Sequence, residues 1–300
     1  MEHLVSPLTN SPQQVVHSYP LLDDPYAHIT QLGELTKHNY HYILKKIEHG
    51  WITDRDIEIV NFISVHRWVT LSQILKIFFP NVEREETVRN RVRKMMKYGL
   101  LRKIEWSSYS KGSVGRPSFY EIGASGADIL KFRFGAFLGH RDPRNPKPTT
   151  MLFRMKYIAT NELYLQLREH FKLVHFEFHP ILKLQEEQQV PTAKFTLTNP
   201  VGKEMSFILL CHREEEKWLK TIRYQAMFYK QYLKNSEDSS IMIVHVSTTD
   251  KASLVSKIFE QEGLSTVWFV TDEDLFDKEM VLTKSFSFFS NGEKVYYDLQ

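Results

Sequence analysis

The chain has a single cysteine, Cys211, among 300 residues. One thiol excludes a disulfide framework and any zinc site built from several cysteines, and it suits a reducing cytoplasm. No apolar run reaches the roughly 20 residues a membrane span needs. The longest apolar pieces, such as FILLC at Phe207–Cys211, are strand-sized. The amino terminus, MEHLVSPLTNSPQQ, lacks the basic start and apolar run of a signal peptide. Glycine and proline number only 12 each, which excludes collagen-like and low-complexity chains. No aspartate occurs between Asp142 and Asp238, so the middle of the chain lacks a common ligand of catalytic magnesium. No glycine-rich phosphate loop is present either, because GASG at 123–126 has no Lys-Ser/Thr after it.

What is present is enough to fold. A hydrophobic content of 42% supports a sizeable core, and this length suits two domains better than one. The net charge of +3 is unevenly spread. Residues 51–133 hold 15 Lys and Arg against 9 Asp and Glu, whereas residues 149–300 hold 18 against 21. Within the basic block, Arg84 to Arg116 alone carries 10 cations against 3 acids, the local footprint a polyanion partner requires.

The stretch Glu83–Gly99, EREETVRNRVRKMMKYG, concentrates that charge on a helix. Acids at its start suit the positive end of the helix dipole, and Gly99 can adopt the left-handed conformation that stops it. Val88, Val92 and Met95 recur at helical spacing and form the buried stripe. The opposite face carries Asn90, Arg93, Lys94 and Lys97 with Thr87 beside them, and Arg89 and Arg91 lie on the flanks. Glu86 shares that outward face, where a phosphate would repel it.

The neighbouring segments give this helix a context. Residues 1–26 read as an irregular arm, and the apolar spacing from about Ala27 to His49 predicts a helix. Thr53 with Asp56, and Thr70 with Gln73, form capping boxes that start two further helices, the second stopped by Pro80. After Gly99, LLRKIEW reads as a strand, SSYSKGSVGRPS as a loop bearing Lys111 and Arg116, and FYEIG as a return strand. A last helix places Ala127, Leu130 and Phe134 on one face. Three helices, a strand, a basic loop, a strand and a helix is the order of a winged helix-turn-helix. In that arrangement the third helix enters the major groove and the hairpin loop reaches the backbone or minor groove. Thr87, Asn90, Arg93 and Lys94 are then expected to read base edges, and Arg91, Lys97, Lys111 and Arg116 to hold phosphates.

GHRDPRNPKPTT at 139–150 reads as a basic linker. Beyond it, strands alternate with helices, the outline of a layered α/β domain. A helix over MLFRMKYIATNELYLQLREHF is followed by the strand KLVHFEF, two strands joined at NPVG, an aromatic-rich helix from Lys217, and a strand–helix–strand ending in STVWFVT. Candidate chemistry there is thin. His175, Glu177 and His179 alternate along a strand as solvated residues do, and Glu215-x-Lys217 lies in the charged run REEEK at a helix mouth. Cys211 and His212 are adjacent on a strand and so point to opposite faces.

The segments ITDRDIEIVNFISVHRWVTLSQI, MMKYGLLRK, GRPSFYEIGASGADIL and FRMKYIATNELYLQL resemble the replication-relaxation family of plasmids and other bacterial mobile elements, over roughly 51–275. The resemblance implies a winged helix joined to a nuclease-like domain. That domain would usually carry Pro-Asp-Ala, a strand with Glu-x-Asp, and a helix with Lys and Tyr. The matching places here read Pro191-Thr192-Ala193, Leu210-Cys211-His212, and a helix with Arg223 and Tyr229, so the acidic positions are replaced.

The expected fold is α+β. Residues 1–50 form an arm and helix, 51–136 a winged-helix DNA-binding domain, 137–150 a linker, and 151–300 a restriction-endonuclease-like α/β domain lacking the metal-binding acids. The expected function is a cytoplasmic DNA-binding protein of a bacterial plasmid or mobile element, a regulator of transcription or a factor in replication or maintenance. It is expected to act as a homodimer on double-stranded DNA, with its second domain available to a protein partner. No catalytic residue, metal, cofactor or membrane contact is expected. The alternatives are a metal-dependent nuclease or nickase working through Glu177 or Glu215, and a protein–protein adaptor.

Overall fold

The computed structural model describes residues 22–82, 84–108, 117–198, 202–236, 238–277 and 284–297. It is a mixed α+β structure, helical in its amino-terminal part and built on a large mixed sheet in the rest. The chain divides into two units, 24–161 and 22–23 together with 162–297.

In the first unit a strand β1 (Ala27–Leu32) precedes four helices, α1 (Tyr40–Glu48), α2 (Asp54–His66), α3 (Leu71–Phe78) and α4 (Glu85–Lys97). A hairpin of β2 (Leu101–Ser108) and β3 (Ser118–Ile122) follows, and then α5 (Ala124–Phe134). The capping residues act as their spacing predicts. The Thr53 N–H donates to Asp56 Oδ2 at 2.8 Å, and the Thr70 N–H to Gln73 Oε1 at 3.0 Å. Helix α3 ends at Phe78, with Phe79 as its cap just before Pro80. Ile57, Val60 and Ile63 of α2, Val88, Val92 and Met95 of α4, and Ile129 and Leu130 of α5 share one core with Leu100 and Tyr120.

Two expectations fail in this unit. Ala27–Leu32 is a strand, not the start of a helix; it pairs antiparallel with β2 and completes a three-stranded sheet. The reason lies one residue on. Gly33 donates to the Lys103 carbonyl at 2.8 Å, and a Cβ there would sit 2.6 Å from that oxygen, so the chain must arrive extended and unencumbered. Phe134 is half exposed rather than sharing the buried stripe of Ala127 and Leu130. The stretch 139–150 is laid along its own unit. Arg141 donates to the Ser64 carbonyl at 3.0 Å, and Arg144 bridges Asp128 and Asp142 at 2.6 Å each. The Arg144 guanidinium holds the Asp142 carboxyl below its usual range.

α6 (Met151–His170) runs across the division between the units. The second unit continues through β4 (Lys172–Phe178), the short pair β5 (Leu182–Leu184) and β6 (Glu187–Gln189), β7 (Ala193–Thr198) and β8 (Glu204–Cys211). Then come α7 (Trp218–Asn235), β9 (Ile241–Val246), α8 (Thr249–Gln261), β10 (Val267–Thr271), α9 (Asp272–Phe276), β11 (Phe286–Ser290) and β12 (Glu293–Tyr297). Seven strands form one sheet in the order β12-β11-β10-β9-β8-β7-β4. The central β8, β9 and β10 are parallel, and the flanking pairs are antiparallel. Parallel neighbours need crossovers, and α7 and α8 supply them. Alternation along β8 sends Ile208 and Leu210 to the α7–α8 layer, and Phe207 and Leu209 to the layer containing Leu163, Leu167 and Leu275.

Candidate nucleic-acid interface

α4 is fixed at both ends before any partner is considered. At its start Glu85 and Glu86 face the positive end of the dipole. At its end the Gly99 N–H donates to Met96 O at 2.8 Å and the Leu100 N–H to Met95 O at 3.0 Å, a Schellman stop. Gly99 has φ +67°, and a Cβ on it would lie 2.2 Å from the Thr36 carbonyl, so glycine is required twice over. The same closeness holds at Gly126, whose added Cβ would meet Leu100 O at 2.4 Å and push α5 off the turn.

Its outward face is the one the sequence predicts. Thr87, Asn90, Arg93, Lys94 and Lys97 are all exposed. Arg93 Nη1 donates to Glu86 Oε1 at 2.7 Å and to Asn90 Oδ1 at 2.8 Å. Glu86, which alone would repel a phosphate, is thus neutralised along its own helix. Among the described residues, the side chains of Thr87, Lys94 and Lys97 have no hydrogen-bond or ion-pair partner. Arg89 spans one turn to Glu85 at 2.6 Å.

Arg91 points elsewhere. Its Nε donates to Asp56 Oδ1 at 2.7 Å, its Nη2 contacts the other Asp56 oxygen, and Nη2 also reaches Thr53 Oγ1 at 3.1 Å. Asp56 is buried, so one carboxylate both closes the α2 cap and anchors α4 to it. Lys111 and Arg116, expected on the hairpin loop, lie outside the described residues. The strand cations are spoken for: Arg102 pairs with Glu121, which also accepts from Trp68 Nε1 at 2.8 Å, and Lys103 pairs with Glu105 at 2.6 Å.

A shallow groove runs beside the outward face, lined by Thr53, Arg55 and Phe79 together with Thr87, Asn90 and Lys94. The Arg55 guanidinium lies 5.0 Å over the Phe79 ring. Neither residue was anticipated. The capping box marks where α2 starts but not that its second residue leans over the end of α3. Deeper in this unit, His66 is buried, bonds Asn161 Oδ1 through Nδ1 at 2.8 Å and stacks on Phe62 at 3.7 Å. Burial pushes its pKa down to about 4, against the opposing pull of that hydrogen bond.

The second unit gathers its polar groups inside. Thr192, at the place where the resemblance implies an acid, accepts from the Cys211 backbone N–H at 2.9 Å. Leu210 and His212 are buried. His175 and Glu177 stand 3.7 Å apart on an exposed face, while His179 occupies a left-handed turn with φ +53°. Among the described residues no three His, Cys, Asp or Glu side chains converge so as to hold a metal ion. A different cluster closes the carboxyl ends of the parallel strands. Asp272 Oδ1 accepts from Arg213 Nη2 at 2.9 Å and from His245 Nε2 at 2.7 Å, with all three residues buried. Burial alone would lower the His245 pKa, but the Cys211 sulfur and the Asp272 carboxylate outweigh it and raise it to about 8. Asp23 is also enclosed, accepting from Ser247 Oγ at 2.7 Å, Lys251 Nζ at 2.8 Å and the Glu214 N–H at 2.7 Å. These residues lie far apart in the chain, and no local spacing announces them. No helix among the described residues is long and apolar enough to cross a membrane.

Residues 60–198 match a family model described as replication-relaxation, the family the sequence resembles. No curated protein and no solved structure matches the chain.

Proposed function

We propose that the chain binds double-stranded DNA through α4 and serves the replication or maintenance of a plasmid or other mobile element. The observation that carries the reading is the outward face of α4. It is a cationic helix face on which, among the described residues, Thr87, Lys94 and Lys97 have no partner and the acid Glu86 is neutralised by Arg93. The order α2, α3, α4, hairpin is the one expected of a winged helix-turn-helix and supports putting α4 in the recognition position. Thr87, Asn90, Arg93 and Lys94 meet base edges, Lys97, Lys111 and Arg116 meet phosphates, and Arg55 extends the surface at the groove. Arg91 acts as the strut that sets the angle of α4 on α2, not as a phosphate contact. The match over 60–198 supports the plasmid context. Transcriptional control of the same element would use the same surface.

In this reading the second unit carries no catalytic step. The positions where the resemblance implies metal-binding acids hold Thr192, Leu210 and His212, and the unit serves dimerisation or a protein partner in the cytoplasm. A two-fold dimer would place two α4 helices on successive major-groove faces about 34 Å apart, so the bound sites would be inverted repeats. A mobility-shift titration against fragments of the host plasmid tests the reading. The native chain shifts one fragment, and Asn90→Ala with Lys94→Ala abolishes that shift. Equal shifts by both proteins would refute it.

A further inference from the structure

We propose that the first unit holds a binding pocket for a phosphate-bearing small molecule, separate from the α4 groove. The pocket has a volume of about 280 Å³ and shares no lining residue with that groove. Five cations line it (Arg67, Arg102, Arg141, Lys147 and Arg154), against one acid, Glu121. Arg102 is committed to Glu121, and Arg141 to the Ser64 carbonyl. Among the described residues, Arg67, Lys147 and Arg154 form no ion pair with a carboxylate, although Glu121 is near enough to act on Arg154.

Arg154 carries the argument. Its Nε and Nη1 are buried and have no hydrogen-bond partner among the described residues. Burial lowers its pKa, which is the mark of a charge held where solvent no longer supports it. Its guanidinium lies 5.2 Å from the Trp68 ring, and so does that of Arg67, so two like charges crowd one indole, and the Glu121 carboxylate that draws on Arg154 is already paired with Arg102. Arg154 also sits near the start of α6, where the helix dipole adds further positive potential. A folded chain rarely leaves two buried guanidinium N–H groups unmet. A tetrahedral dianion answers each of these features, because a guanidinium fork binds two phosphate oxygens at once. The volume exceeds that of a bare phosphate group, and Trp68 offers an apolar wall to the organic remainder. The shared chemistry is a phosphate group, borne by inorganic phosphate or by a nucleoside monophosphate.

The inference does not depend on the role given to α4. Calorimetry and thermal melting of the full chain with inorganic phosphate, a nucleoside monophosphate and the unphosphorylated nucleoside separate the sources. Both phosphate-bearing probes are expected to bind and raise the melting temperature, and the nucleoside alone is not. Tighter binding of the monophosphate than of phosphate assigns the rest of the pocket to the nucleoside. Arg154→Met should weaken binding at least tenfold, yet melt no lower than the native chain without ligand, because it removes a buried charge with two unmet N–H groups. Lys147→Gln, at an exposed position, should weaken binding several-fold and keeps the test open should Arg154→Met misfold. No binding of either phosphate probe by the native chain, or unchanged binding by both variants, overturns the proposal. Loss of duplex DNA affinity in Arg154→Met would overturn it too, by assigning the pocket to the DNA backbone. Failure of the α4 variants in mobility shifts bears only on the α4 reading.

Discussion

On α4 the ion pairs Arg93–Glu86 and Arg89–Glu85 leave their partners about half exposed or more, whereas in the second unit Arg213 and Asp272 pair at 0% and 5% exposure. The difference separates charge kept for a partner from charge kept for the fold. An exposed pair contributes about 0–1 kcal/mol and is screened by salt, so Arg93 can leave Glu86 for DNA at small cost. A buried pair gains little net stability when intact, yet losing one member strands the other in low dielectric. Surface charge is available to an incoming ligand, and the buried Arg213–Asp272–His245 cluster is not.

The largest effect should come from breaking the buried cluster. Asp272→Ala leaves the Arg213 charge uncompensated and is expected to destabilise by about 3–5 kcal/mol, read from urea unfolding monitored by tryptophan fluorescence. A loss below about 1 kcal/mol would put that cluster in the same class as the α4 surface pairs. The two buried histidines sharpen the contrast, because they respond to pH in opposite directions. His66 has its folded pKa lowered to about 4 from 6.5, so its contribution is complete above 6.5 and is lost as pH falls toward 4. The full loss is about 3 kcal/mol. His245 has its folded pKa raised to about 8, so its contribution is complete below 6.5 and fades as pH rises through 8, by about 2 kcal/mol in all. Imidazole resonances followed by NMR should therefore titrate near 4 and near 8. Two ordinary values near 6.5 would remove the contrast.

Next in size is the strut. Arg91→Ala leaves Asp56 buried without its cation and should cost about 1–3 kcal/mol in thermal or urea unfolding. Arg89→Ala, which cuts an exposed pair, should cost no more than about 0.5 kcal/mol. Equal costs for the two would mean that Arg91 is not holding α4 in place. The smallest expected change concerns binding. Glu86→Gln removes the one acid on the outward face and should tighten DNA binding a few-fold at low salt, with stability nearly unchanged. Weaker binding by Glu86→Gln would instead make the carboxylate a base-reading acceptor.

Local chemistry explains which parts of this structure could be read in advance. Capping residues, the Gly99 stop and the Val88–Val92–Met95 stripe each act over one or two turns, so α2, α3 and α4 follow from spacing alone. The strand β1 does not, because its pairing with β2 is decided far along the chain, where Ala27 meets Ser108 and Leu32 meets Ile104. The β11–β12 hairpin went unread, although it turns at Asn291–Gly292, both at positive φ, as a two-residue turn requires. The exposed residues of the α4 face could be identified from helical periodicity. The direction of Arg91 could not, since periodicity puts a side chain on a flank without saying that Asp56 waits there. The Arg213–Asp272–His245 cluster and the Arg154 pocket are assembled by tertiary packing from residues far apart in the chain, and no motif spacing marks either.

The central claim is that α4 meets DNA with its outward cationic face. Fluorescence anisotropy with a duplex, repeated across a salt series, gives the slope of log affinity against log salt for the native chain and for Arg93→Ala with Lys94→Ala. Each lost phosphate contact reduces that slope by about 0.9, and a lost base contact lowers affinity at all salt concentrations. The account predicts at least tenfold weaker binding at every salt concentration in the double variant, with the slope nearly unchanged and unfolding stability within about 1 kcal/mol of the native chain. Identical affinity in the two proteins would contradict it.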